Sequence, residues 1–115
     1  MLDFSQLNQF TGSETFFRHG LVPSVAYTEG VKYVADNGGA YWLLNIIASN
    51  QIESKFINQP FQTWSLTVNG GVGRIEVDDG DGNLLMLTDI IRTDFPEPGI
   101  TLWCCDNMIL LPSEY

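Results

Sequence analysis

The second half of the chain is written in a period of two: five apolar runs, most of them alternating, parted by four turn signals. Alternation of that kind builds antiparallel strands with one face on a core and the other in water. Trp64, Leu66 and Val68 alternate with Thr63, Ser65 and Thr67, and Asn69-Gly70-Gly71 turns the chain. The next run sets Gly73, Ile75 and Val77 on one side against Arg74, Glu76 and Asp78, and Asp79-Gly80-Asp81-Gly82 turns it again. A third strand is expected from Leu84 to about Thr93, bulged near Thr88-Asp89 where the apolar phase changes. Pro96-Glu97-Pro98-Gly99 reads as a loop. Ile100 to Cys105 and Met108 to Leu111 then flank Asp106-Asn107, two residues that tolerate the positive φ of a tight hairpin. Short turns between successive strands predict a five-stranded antiparallel meander.

The first half predicts two to three helices. Asp3 with Gln6 has the form of an N-cap and its reciprocal partner, and Phe4, Leu7 and Phe10 follow at helical spacing until Thr11-Gly12. Residues 13–27 give no clear period: Phe16-Phe17 suits a short strand or an extended segment, and Pro23 prevents a regular helix around it. Thr28 is a good N-cap for a helix over Glu29 to Asn37, with Val31 and Val34 on one face, and Asn37-Gly38-Gly39 ends it. A further helix runs from Ala40 to about Gln51, apolar over much of its circumference. The expectation is a single α+β domain over residues 1–115, with the helices packed on the meander.

Charge narrows the range of partners. Fourteen acidic residues against five basic give a net charge of −9. Such a chain repels phosphate backbones, so direct nucleic-acid binding is disfavoured and a basic protein is the better electrostatic match. Met1-Leu2-Asp3-Phe4 has neither the basic nor the apolar segment of a signal peptide, and the apolar run from Tyr41 to Ala48 is too short to span a bilayer. Cys104 and Cys105 are adjacent, which is no disulfide framework. A reduced, cytoplasmic protein with no membrane association is expected.

No stretch carries a catalytic signature. Aligning Asp79, Asp81 and Asn83 with the first ligands of a calcium loop puts Leu84 where that loop needs glycine and Ile90 where it needs glutamate. A hairpin turn explains Asp78 to Asn83 better than a metal site. His19 is the sole histidine, so any histidine-based acid, base or metal chemistry must run through it. A structural histidine bonded to a backbone carbonyl or a carboxylate is the plainer reading. Cys104 and Cys105 lack a CxxC spacing, and neighbours on a strand point to opposite faces. Gly70, Gly71 and Gly73 lie between strands with no helix to hold an anion. Trp42, Trp64 and Trp103 read as core or satellite core. Leu110 to Tyr115 stays apolar almost throughout, which suits a segment docked on the sheet edge or the body, with Tyr115 available to an interface. No cofactor and no metal are expected.

Four stretches together, Asn8 to Glu14, Tyr27 to Tyr33, Gly39 to Leu44 and Leu110 to Tyr115, resemble a family of small bacterial and phage proteins known as a domain of unknown function. The resemblance runs over nearly the whole chain in the same order. It implies a stand-alone cytoplasmic protein, of a kind often associated with phages or mobile elements, and brings no activity, cofactor or catalytic residue. Two functional classes follow. In the first, a non-enzymatic module binds a basic protein through Glu76, Asp78, Asp79 and Asp81, carboxylates that one turn gathers. In the second, a small-molecule or enzymatic pocket lies between helices and sheet, lined by Arg18, His19, Tyr41 and Trp42. Homodimerisation through an edge strand is compatible with both.

Overall fold

A computed structural model of the chain describes residues 2, 4–10, 15–53 and 56–115. Its α-helices are α1, Glu29–Gly38, and α2, Tyr41–Asn50. The strands are β1 (Phe16–Arg18), β2 (Ala26–Thr28), β3 (Phe61–Asn69), β4 (Val72–Asp78), β5 (Leu84–Ile90), β6 (Gly99–Cys105) and β7 (Met108–Leu110). All seven join one sheet in the order β1-β2-β7-β6-β3-β4-β5, antiparallel throughout except for the parallel pair β2 and β7.

This corrects the expected five-stranded antiparallel meander. β3, β4 and β5 do form consecutive hairpins, but β6 pairs with β3 rather than with β5. The order β6-β3-β4-β5 is a Greek key, in which the fourth strand returns to lie beside the first. The reason lies in charge: β5 carries Asp89, which suits an edge, whereas β6 carries no charged residue. Leu102 and Cys104 of β6 are fully buried, whereas β5 buries none of its residues completely. The strand without a charged side chain takes the centre, and residues 91–98 are long enough to carry the chain across about 14 Å, three strand spacings. The sheet then gains β1 and β2 beyond β7. At three residues each they are too short to show an alternation in sequence.

The helical expectations divide. α1 begins at Thr28, whose side-chain oxygen accepts from the Val31 N–H, and ends at left-handed Gly39. α2 follows at once and buries Leu43, Leu44, Ile47 and Ala48, while Tyr41 stays exposed. The first expected helix is instead a 3-10 segment, Phe4–Gln9. Spacing its apolar residues strictly three apart, at Phe4, Leu7 and Phe10, aligns them in one row at 3.0 residues per turn rather than 3.6. Its expected cap Asp3 and stop Thr11-Gly12 lie outside the described residues. The bulge in β5 also moves: the β4–β5 register shifts between Val77 and Asp78, so the extra residue is Leu85 rather than Thr88-Asp89. The hairpin at Asp106-Asn107 forms as read, with φ of 49° and 67°.

Both helices pack on one face of the sheet. Val31, Val34, Leu43, Leu44 and Ile47 meet Trp64, Leu66, Val68, Ile75, Val77 and Leu102 in one core. Deep in it, Gln51 and Gln62 exchange amide hydrogen bonds at 2.8 and 2.9 Å, and Gln62 Oε1 also accepts from the Trp64 indole. The closing segment is tied to the start of α1. Glu114 Oε1 accepts from Thr28 Oγ1 at 2.6 Å and from the Leu111 N–H at 2.9 Å. Gly30 leaves room for that carboxylate, since a Cβ there would come within 2.8 Å of it. The negative charge beside the first turn of α1 suits the helix dipole. Among the described residues no helix is long and apolar enough to cross a membrane.

Candidate functional site

The helices leave the opposite face of the sheet open. On β3 and β4 the core takes every second side chain, so Phe61, Thr63, Ser65 and Thr67 share the open face with Arg74, Glu76 and Asp78. The pairing of β3 with β6 then brings Trp103 opposite Thr63. One row across the face therefore reads Leu84, Asp78, Thr63, Trp103, Leu110.

At one end of this face stands an aromatic cluster. The rings of Phe61 and Trp103 lie 5.2 Å apart at 72°, and Tyr115 folds back over both, at 6.3 Å and 74° from Phe61 and at 5.2 Å and 73° from Trp103. With Asp79, Gly80 and Asp81 of the β4–β5 turn, the three rings line an open hollow of about 380 Å³. Gly80 makes that contact feasible: its φ is +86°, and a Cβ would sit 2.6 Å from the Phe61 ring.

The four carboxylates singled out in sequence divide by role. Asp78 Oδ1 accepts from the Gly80 N–H at 2.8 Å. Asp79 is the keystone of the turn: Oδ1 accepts from the N–H groups of Asp81 and Asn83, and Oδ2 from the Asn83 side chain at 2.8 Å. Asp81 and Glu76 extend into solvent, and neither forms an ion pair with any described residue. Glu76 stands on β4 beside the exposed Arg74–Asp89 pair, whose atoms are 3.0 Å apart. Among the described residues no group of three or more His, Cys, Asp or Glu is placed to hold a metal ion.

The hydrogen bond from the Asn83 side chain, followed by the Asp81 N–H, holds the Asp79 carboxyl below its usual 3.8. A depressed pKa in the fold adds stability that is present above 3.8 and lost as pH falls through the folded value. The turn is thus expected to keep the Asp79 charge throughout mildly acidic conditions. A carboxyl-carbon NMR titration should place its midpoint below 3.8, and Asn83→Ala should move it up towards 3.8. A midpoint that Asn83→Ala leaves unmoved would refute the assignment.

The second set of residues is not gathered into one hollow. His19 is buried; its Nδ1 accepts from the Leu21 and Val22 N–H groups at 3.2 and 3.0 Å, so Nε2–H donates to Asn45 Oδ1 at 2.7 Å. Both ring nitrogens are occupied in pinning the 19–25 loop to α2. Arg18 donates to the Pro23 carbonyl and lines a hollow with Phe16, Phe17 and Asp106. Trp42 lines a separate one with Ile90 and Arg92. The Tyr41 hydroxyl donates to Asp36, which with burial pushes its pKa up to about 12. The Cys104 thiol is also pushed up to about 12, by burial first, which leaves it a poor nucleophile.

Sequence reading did not bring Phe61, Trp103 and Tyr115 together. A signal was present: Phe61 and Trp103 are bulky aromatics on the polar phase of strands whose core phase is Trp64, Leu66 and Val68 or Leu102 and Cys104. Large rings on a solvent-facing phase are unexpected unless something covers them. A family model described as a family of unknown function (DUF6876) matches residues 2–115. No curated protein and no solved structure matches the chain.

Proposed function

We propose, from the premise that the chain belongs to this family of unknown function, that it is a non-enzymatic interaction module. Its partner is a basic protein, bound on the helix-free face of the sheet. The carrying observation is the joint placement on that face of Glu76, Asp78, Asp79 and Asp81 with the partly buried rings of Phe61 and Trp103 and the exposed ring of Tyr115. Interfaces are built this way, from aromatic anchors ringed by polar groups, and a net charge of −9 steers a basic partner towards them. In its narrower form the module is an accessory or antagonist protein of a phage or mobile element, and its carboxylates stand in for nucleic-acid phosphates.

The test is capture of partners from native host lysate at low and high salt, using the full chain and a variant with Glu76 and Asp81 reversed to lysine, the two carboxylates of the set that hold no part of the turn. A basic protein bound at low salt, released at high salt and lost by the variant is the expected result. Equal capture by both chains would count against the charged face. Recovery of a protein that itself binds nucleic acid is what the narrower form requires.

A further inference from the structure

We infer that the hollow between the aromatic cluster and the β4–β5 turn receives the ammonium head of a lysine, free or methylated, presented by the partner. This rests on the interaction reading above and specifies its anchor. Three rings meet pairwise edge to face at 72–74°, and all three line the hollow. Cations are drawn to the faces of aromatic rings, and several such faces around one point form a cage for an ammonium or a methylated ammonium. A planar guanidinium prefers to stack parallel on one ring, so rings set edge to face favour lysine over arginine.

Charge points the same way. The rim carries Asp81, unpaired among the described residues, and Asp79, whose negative charge the turn's own hydrogen bonds preserve. Among the described residues no basic side chain lines the hollow. Arg74 is engaged with Asp89, Arg18 with the Pro23 carbonyl, and Lys32 with Asp36. The chain already shows the contact elsewhere, the Lys32 ammonium lying 5.6 Å from the centre of the Phe17 ring. A hollow this open suits a side chain tethered to a protein better than a free small cation, which gains little without enclosure. The partner's backbone would lie along the threonine and serine rows of β3.

The experiment is an NMR titration of the full chain with short peptides centred on lysine, trimethyl-lysine, arginine or norleucine. It is read at the indole N–H signals of Trp42, Trp64 and Trp103. The lysine and trimethyl-lysine peptides should shift Trp103 alone, with norleucine inert and arginine weaker. Tyr115→Ala and Asp81→Asn should each weaken the lysine peptides by about tenfold. Tyr115 is 79% exposed and the Asp81 side chain has no partner among the described residues, so neither change should unfold the chain. Equal shifts with norleucine, no shift at Trp103, or stronger binding of arginine would overturn the assignment. If the lysate partner is retained by Tyr115→Ala but lost on charge reversal, the cage fails while the interaction reading stands. If no partner is captured at all, the interaction reading fails.

Discussion

Gly99→Ala is expected to cost about 4 kcal/mol, enough to unfold a large share of a marginally stable domain. Gly99 opens β6 at φ +114°, in a region open to glycine and strained for any residue with a Cβ. A Cβ there would lie 1.9 Å from the Leu66 carbonyl oxygen and 3.1 Å from the Thr67 Cα. Backbone strain and overpacking are each worth about 1–3 kcal/mol, and here they add because the obstacle is backbone of β3, an interior strand held on both sides. Gly80→Ala makes the contrast: at φ +86° it shares the backbone strain, but its Cβ meets the Phe61 ring, which can tilt aside, and not backbone. Urea denaturation of both variants should place Gly99→Ala well below Gly80→Ala. Equal midpoints would mean that β3 and β6 can separate at that end, contrary to the ladder that pairs Gly99 with Thr67.

That ladder is also where the legibility of the sequence ended. The alternation of Trp64, Leu66 and Val68, or of Ile75 and Val77, names strands and their buried faces, because the pleat ties sequence phase to face. Thr28 and Gly39 mark the ends of α1 for equally local reasons, a cap and a left-handed stop. Strand order has no such local signature. Whether β6 lies beside β5 or beside β3 depends on where its apolar side chains find the deeper core, a property of the whole sheet. The same choice decides the site. In a meander Trp103 would lie beyond β5, three strands from Phe61; in the Greek key the two rings touch. The carboxylates of the β4–β5 turn could be read from their spacing, whereas the ring cluster that they border could not. Chemical type alone relates Arg18, His19, Tyr41 and Trp42 in the sequence. The structure gives His19 a task that uses up both its nitrogens.

Gln62→Leu is expected to cost about 3 kcal/mol although it swaps a buried polar side chain for an apolar one of similar size. Gln62 is 1% exposed and holds together four groups: the Gln51 amide at both its oxygen and its nitrogen, the Trp64 indole N–H at 2.9 Å, and the Gln59 carbonyl at 2.9 Å. The transfer of leucine into the core is favourable, but Gln51 Oε1 and the Trp64 indole N–H are left buried without their partner, while Gln51 Nε2 keeps the Ile47 carbonyl. Each unsatisfied group costs about 1–3 kcal/mol, which outweighs the gain. The sign of the double variant separates this account from simple misfit. Gln51→Leu combined with Gln62→Leu removes both amides, so the pair should be less destabilised than the sum of the two single changes, by about 1–2 kcal/mol in a denaturation cycle. Strict additivity would show that the amides act independently. The consequence reaches the open face, because Gln62 sits on β3 between Phe61 and Thr63 with its side chain turned the other way. Its amide ring fixes the position and twist of β3 from the core side, and Phe61 takes its place against Trp103 from that strand. A protein that folds with leucine at this position should therefore show a displaced Trp103 indole signal even though the substituted atoms lie on the opposite face of the sheet.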